Sequence, residues 1–188
     1  MDFDEIQLET QELMEGAVNH AWKEFNNIHT GKASPSMVDG LRVDVPAYGS
    51  SMAIRDIAAI TTPDSRTISI QPWDKNTVSP IEKGIKAAGL GLNPVTRGSV
   101  IIVPVPELSG ERRKELVKVC SGHAEDSRVQ VRKARQKAMD NLKKLKNEGG
   151  TSEDDIKRYE KEIQEMTDSH IEQINDALKQ KESELLAV

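Results

Sequence analysis

Apolar residues recur every three or four positions in three long stretches of the chain, and this spacing is typical of amphipathic helices. The stretches cover residues 4–29, 109–146 and 153–186. In the first, the predicted core-facing residues are Ile6, Leu13, Ala17, Ala21, Phe25 and Ile28, with Met14, Val18 and Trp22 widening the stripe. Because such narrow stripes are stable only when they are buried against one another, we predict an elongated antiparallel three-helix bundle.

The second and third stretches have stripes of the same kind. The second stripe consists of Leu116, Val131, Ala134, Ala138, Leu142 and Leu145. The third consists of Ile156, Tyr159, Ile163, Met166, His170, Ile174 and Ala177. Since His170 lies within this stripe, we interpret it as a core or edge residue and not as a ligand. The second helix is predicted to begin after Ser109 and to end at Gly149-Gly150.

A different pattern occupies residues 31–106, where short runs of β-type residues are separated by turns. Strands are predicted at residues 41–45, 58–61, 67–70 and 100–103. A short helix is predicted to start at Ser79, with Glu82 completing a capping box, and to stop at Gly89. The expected fold class is therefore α+β, with a small β/α/β domain inserted into the bundle.

The insertion defines the expected domain organisation. Residues 1–30 and 107–188 are assigned to the bundle, and residues 31–106 to the inserted domain. The chain crosses between the two twice, and glycine or proline stands at each crossing. We expect a hinge there, formed by Thr30, Gly31, Pro104, Val105 and Pro106.

The charge distribution points to an anionic partner. The net charge is −5, yet residues 111–146 carry 12 Lys/Arg against 5 Asp/Glu, whereas residues 1–30 carry 1 against 7 and residues 151–188 carry 5 against 11. Arg128, Arg132 and Arg135 lie beside the apolar stripe, and Arg113 points in nearly the same direction. Glu125 is expected to reach Arg128 only, so Arg132 and Arg135 are expected to lack an acidic neighbour. The planar guanidinium group of arginine presents several N–H donors in a geometry that suits phosphate, which indicates an RNA backbone as the anionic partner.

The sequence gives little indication of an enzyme. The four histidines are scattered, and Cys120 is the single cysteine, so no zinc-ligand spacing is present. No glycine-rich phosphate loop or nucleophile elbow occurs. The chain has no apolar run of the length that a membrane span needs, and its acidic start does not resemble a signal peptide, so a cytoplasmic protein is expected. A helical adaptor between two proteins and a general RNA chaperone stay open as alternatives.

Several motifs, in order along the chain, carry a resemblance to a known family. They are Ile28-His-Thr-Gly-Lys-Ala-Ser-Pro-Ser36, Asp64-Ser-Arg-Thr67, Gly91-Leu-Asn-Pro94, Val103-Pro104 followed by Glu111-Arg-Arg-Lys-Glu-Leu116, and Arg128-Val-Gln-Val-Arg132 with Arg135. Together they closely resemble the bacterial ribosome recycling factor family. The resemblance implies an L-shaped molecule in which a three-helix bundle carries an inserted β/α/β domain.

The same resemblance implies function and partners. Family members bind the post-termination ribosome, with the bundle on ribosomal RNA of the large subunit, and elongation factor G with GTP then separates the subunits and releases mRNA and tRNA. It implies a monomer without catalytic residues, metal, cofactor or small-molecule substrate. The family's essential basic residues map here onto Arg113, Arg132 and Arg135. Arg128 and Lys133, which lie close by, and Lys32, which could extend the basic surface, complete the predicted RNA-binding set. His29 and Lys32 stand where the family commonly has Arg, and Ile102 stands where a basic residue is frequent.

Overall fold

The computed structural model describes residues 2–187. In chain order, the elements are α1 (Phe3–Asn27), β1 (Arg42–Val45), β2 (Ser50–Ala53), α2 (Ile54–Ile57), β3 (Ala58–Asp64), β4 (Thr67–Pro72), α3 (Val78–Ala87), β5 (Val95–Arg97), β6 (Val100–Pro104), α4 (Gly110–Glu148) and α5 (Glu153–Leu186). They divide into two compact units: one runs up to Ile28 and resumes at Gly110, and the other is His29–Ser109. The α+β class is confirmed, since α1, α4 and α5 form the first unit and the strands lie in the second.

The ends of the long helices follow from local hydrogen bonding. Asp2 and Glu5 form a capping box at the start of α1, with each side chain accepting a hydrogen bond from the other residue's backbone N–H. The Ser152 side chain accepts from the Asp155 N–H at the start of α5, which confirms the predicted beginning of that helix. Between α4 and α5, Gly149 and Gly150 both have positive φ, which reverses the chain at little steric cost.

Contacts between the helices give the direction of each. Lys137 in the second half of α4 pairs with Glu9 in the first half of α1 at 2.6 Å. Lys146 pairs with Glu153 across the α4–α5 turn at 3.3 Å. Phe3 stacks on Tyr159, with 3.7 Å between the ring centroids. Since α1 and α5 thus run together and α4 runs against both, the helices form the antiparallel bundle that the sequence predicts.

The bundle core differs in detail from the predicted stripe of α1. Leu13 and Trp22 are 45% and 46% exposed, whereas Met14 and Thr10 are buried. At about 100° per residue, Leu13 and Trp22 lie on opposite borders of the buried face, so their assignment to the core was wrong. Small residues fill the first half of the buried face of α4, where Cys120, Ala124 and Ser127 are fully buried.

The inserted unit contains two antiparallel sheets around an aliphatic core. β1 pairs with β2, and the second sheet has the strand order β3-β4-β6-β5. The fully buried side chains in the core of the inserted unit include Ile54, Ile68, Ile70, Ile81, Ile101 and Val103. The four predicted strands and the short helix are present, while β2 and β5 are additional.

The predicted capping box of the short helix is wrong. The helix α3 begins at Val78, one residue before Ser79. A 3₁₀ turn, Lys75–Thr77, precedes it, and Asp74 caps that turn by accepting from the Asn76 N–H. Glu82 instead accepts hydrogen bonds from Lys86 and Thr96. The helical backbone, counting the 3₁₀ turn, therefore starts about one turn earlier than Ser79 and Pro80 indicate.

The predicted hinge residues lie at the margin of the inserted unit. Pro104 is the last residue of β6, and Val105 is buried, with its N–H donating to the Arg66 carbonyl at 2.7 Å. These two residues are therefore part of the packed unit. Gly31 has φ +83°, and a Cβ built on it would lie 3.3 Å from Leu108 Cγ, so the two crossing segments run side by side. Thr30 and Pro106 lie outside helices and strands. Rotation at these crossings stays a prediction.

Candidate nucleic-acid interface

Three of the predicted basic residues of α4, Arg128, Arg132 and Arg135, lie on the same side of the helix. Spacings of four and three residues place them along one flank of the helix, beside the buried Val131 and Ala134. The flank borders α5, so residues of that helix can reach it. We call Arg128, Arg132 and Arg135 the arginine flank.

Glu125 binds two members of the arginine flank. Arg128 Nε donates to Glu125 Oε2 at 2.9 Å, and Arg132 Nη2 donates to Glu125 Oε1. The expectation that Glu125 reaches Arg128 only, and that Arg132 lacks an acidic neighbour, was therefore wrong. Side chains on a helix lean toward its N-terminus, and this lets the long Arg132 side chain reach back two turns.

The two arginines lower the pKa of Glu125. The pKa is lowered mainly by the hydrogen bond from Arg132, then by that from Arg128, with the charges of both arginines adding to the effect. Each carboxylate oxygen of Glu125 accepts a hydrogen bond from one guanidinium group. Glu125 thus offsets the repulsion between two like charges that lie one turn apart.

Residues of α5 hold the other side of the arginine flank. Arg128 Nη1 donates to Asn175 Oδ1 at 2.7 Å, and Arg135 Nε donates to Gln164 Oε1 at 2.7 Å. Gln164 in turn donates to Asp168 at 2.8 Å. Neither amide was predicted from the sequence. A signal was present, because Gln164 and Asn175 directly follow Ile163 and Ile174 of the α5 stripe and therefore lie at its border.

The arginine flank keeps donors for a further anion. A guanidinium has five N–H donors. The hydrogen bonds above use one donor of Arg132, one of Arg135 and two of Arg128. The Arg132 side chain is 51% exposed and the Arg128 side chain 21%. The groups are thus oriented by neutral amides and one carboxylate, while their remaining donors can bind phosphate oxygens.

The other predicted RNA-binding residues lie apart from the arginine flank. Arg113, 15 residues before Arg128 and so about 22 Å along the helix, donates to the carbonyls of Leu185 and Ala187 at the end of α5. Lys133 is exposed and points about 100° away from Arg132. Lys32 is exposed in the inserted unit. Roles of these three residues in RNA binding stay predictions.

Across residues 2–187, no group of three or more His, Cys, Asp or Glu side chains could hold a metal ion. Within the same range, no helix combines the length and the apolar character that crossing a membrane requires.

Sequence comparison decides the family. Residues 21–186 match the family model described as ribosome recycling factor. The chain belongs to the ribosome recycling factor family. The ribosome-recycling factor of Rhodospirillum centenum is 46% identical over 175 residues, covering 93% of this chain and 94% of that protein. The ribosome-recycling factor of Akkermansia muciniphila is 44% identical over 188 residues, covering the whole of both chains.

Solved structures of ribosome recycling factors have the same fold. A solution structure of the ribosome recycling factor matches with a TM-score of 0.80 at 36% identity, over 100% of this chain and 99% of that one. A second matching chain comes from models of the Thermus thermophilus ribosome recycling factor and Escherichia coli elongation factor G bound to the E. coli post-termination complex. It has a TM-score of 0.67 at 38% identity over the full length of both chains. The resemblance is confirmed, and the chain functions in ribosome recycling.

Proposed function

We propose that this chain binds the post-termination ribosome through the arginine flank. Elongation factor G, with its own GTP hydrolysis, then separates the subunits so that mRNA and tRNA are released. The observation that carries this proposal is the geometry of the flank. Three guanidinium groups are held in place by Glu125, Asn175 and Gln164, and most of their donors stay available.

Ribosomal RNA of the large subunit is the proposed target. The contrast between a basic α4 and acidic α1 and α5 supports one preferred orientation, because the acidic helices would repel phosphate. The chain would act as a monomer in the cytoplasm, without a metal, cofactor, small-molecule substrate or reaction of its own. The partner factor is proposed because a related protein is bound together with elongation factor G in the post-termination complex.

The two units would divide the work. The bundle would hold the RNA while the inserted unit moves about the crossings near Thr30, Gly31 and Pro106 and delivers force. Support comes from the separate packing of the two units. It also comes from the two crossing segments, which lie side by side where Gly31 approaches Leu108. A motion of this kind needs no catalysis by the chain itself.

Replacing Arg132 with Ala tests the binding surface. We expect the affinity for vacant large subunits, measured by pelleting, to fall about tenfold, since a hydrogen bond to a charged group contributes about 1.5–3 kcal/mol. The fold should be retained, because the side chain is half exposed. Lys144→Ala is the matched control: it removes one charge from an exposed position of α4 that points away from the arginine flank.

Salt provides a second measurement on the same proteins. Phosphate contacts release counterions, so wild-type affinity should fall steeply as salt is added, and Arg132→Ala should have a shallower slope by about 0.7–0.9. Equal affinities and equal slopes for Arg132→Ala, Lys144→Ala and the wild type would contradict binding through the arginine flank.

A further inference from the structure

An acidic side chain lies inside the proposed RNA-binding surface. Glu125 places one carboxylate oxygen on Arg128 and the other on Arg132, and its side chain is 51% exposed. The side chain of Asp126, the next residue, is exposed as well and has no hydrogen-bond or ion-pair partner among the described residues. The two acids therefore carry the same charge at nearly the same height on α4, but only Glu125 contacts the arginine flank.

A carboxylate in this place affects two kinds of RNA binding differently. Non-specific binding depends on how many phosphates the protein neutralises, and one negative charge on the flank lowers that number. Specific binding depends on correctly oriented guanidinium forks, and Glu125 fixes the positions of two of them. Glu125 thus weakens non-specific binding to RNA and supports specific binding to the correct RNA.

We propose that Glu125 is a specificity-determining residue, which makes the arginine flank discriminate between its ribosomal site and other RNA. This inference rests on the proposed function of the flank. The contacts with Arg132 and Arg128 lower the pKa of Glu125 and so favour its charged form, which agrees with this role. An incoming phosphate must therefore bind the remaining donors of Arg128 and Arg132 beside a carboxylate of like charge, and only a phosphate in the correct position offsets that repulsion.

The test compares Glu125→Gln with Asp126→Asn, two changes that remove the same charge from adjacent exposed positions. Affinities are measured for poly(U), as a single-stranded RNA without structure, and for vacant large ribosomal subunits. For Glu125→Gln we expect poly(U) binding to tighten roughly fivefold at 0.1 M salt and its salt slope to steepen by about 0.7. Subunit affinity should stay unchanged or fall, so that the ratio of the two affinities drops.

Each outcome decides for or against the inference. A reduced ratio in Glu125→Gln, with a wild-type ratio in Asp126→Asn, supports it. An unchanged ratio in Glu125→Gln overturns it, and so does an equal drop in both variants, which would show an effect of net charge alone. Failure of the proposed function is distinguishable, because Arg132→Ala would then bind subunits as tightly as the wild type.

Discussion

At the scale of single residues, Gly84 determines how closely α3 packs on β1. A Cβ built on Gly84 would overlap Val43 Cγ1, and Val43 is buried in the core of the inserted unit. Gly84→Ala should therefore destabilise the protein by about 2 kcal/mol, since overpacking costs typically 1–3 kcal/mol. Urea denaturation followed by circular dichroism measures the change.

Gly122 supplies the control for this substitution. It lies inside α4, and a Cβ at this position would meet nothing within 4 Å. Gly122→Ala should stabilise the protein by about 0.5–1 kcal/mol, because alanine is the better helix former. If Gly84→Ala were as stable as Gly122→Ala, close packing at Gly84 would not be the reason for a glycine there.

Ser127 is a buried polar residue whose removal should help folding. Its hydroxyl oxygen lies in the bundle core and has no hydrogen-bond partner in the described protein. Ser127→Ala should stabilise the bundle by about 1 kcal/mol, because a buried, unpaired hydroxyl is unfavourable and alanine favours helix.

Thr10 gives the contrasting case in the same core. Its hydroxyl donates to the Ile6 carbonyl at 2.6 Å, so Thr10→Val removes a hydrogen bond that is made. This variant should show no gain in the free energy of unfolding. If Ser127→Ala also gave no gain in the free energy of unfolding, the account of Ser127 would be contradicted.

The contacts of the arginine flank show where sequence reasoning stops at this scale. Helical periodicity correctly placed Arg128, Arg132 and Arg135 along one flank of α4. The neighbour rule for helices considers residues three or four apart, so it missed the Arg132–Glu125 pair, which spans seven. Asn175 and Gln164 were missed because their contacts depend on the register between two helices, which the periodicity of each helix does not contain.

At the scale of elements, predictability followed length and composition. The three long helices were predicted to within a few residues because their stripes repeat over many turns. The strand β2, with the sequence Ser-Ser-Met-Ala, lacks β-branched residues and exists because β1 offers it a partner. The strand β5 has only three residues, all exposed, and depends on β6 in the same way.

At the scale of the whole molecule, the two units have separate cores and separate charge characters. The core of the inserted unit consists of residues between Val38 and Val105, so its packing does not require the bundle. By count, residues 29–109 carry 8 Lys/Arg against 7 Asp/Glu, which is nearly neutral. The concentration of positive charge on α4 therefore supports the proposal that the bundle binds RNA and that the insertion has another task.

A shortened chain can test this division of labour. Because a Cβ on Gly31 would lie 3.7 Å from the Leu108 backbone nitrogen, a short linker can join the chain there. Replacing residues 32–107 with about four Gly and Ser residues should leave a folded bundle that pellets with large subunits nearly as well as the wild type. It should fail to separate subunits when elongation factor G and GTP are added, as measured by light scattering. The force is proposed to pass through the inserted unit, so subunit separation at the wild-type rate by the shortened chain would contradict that role. Loss of pelleting would instead place part of the RNA-binding surface, such as Lys32, in the insertion.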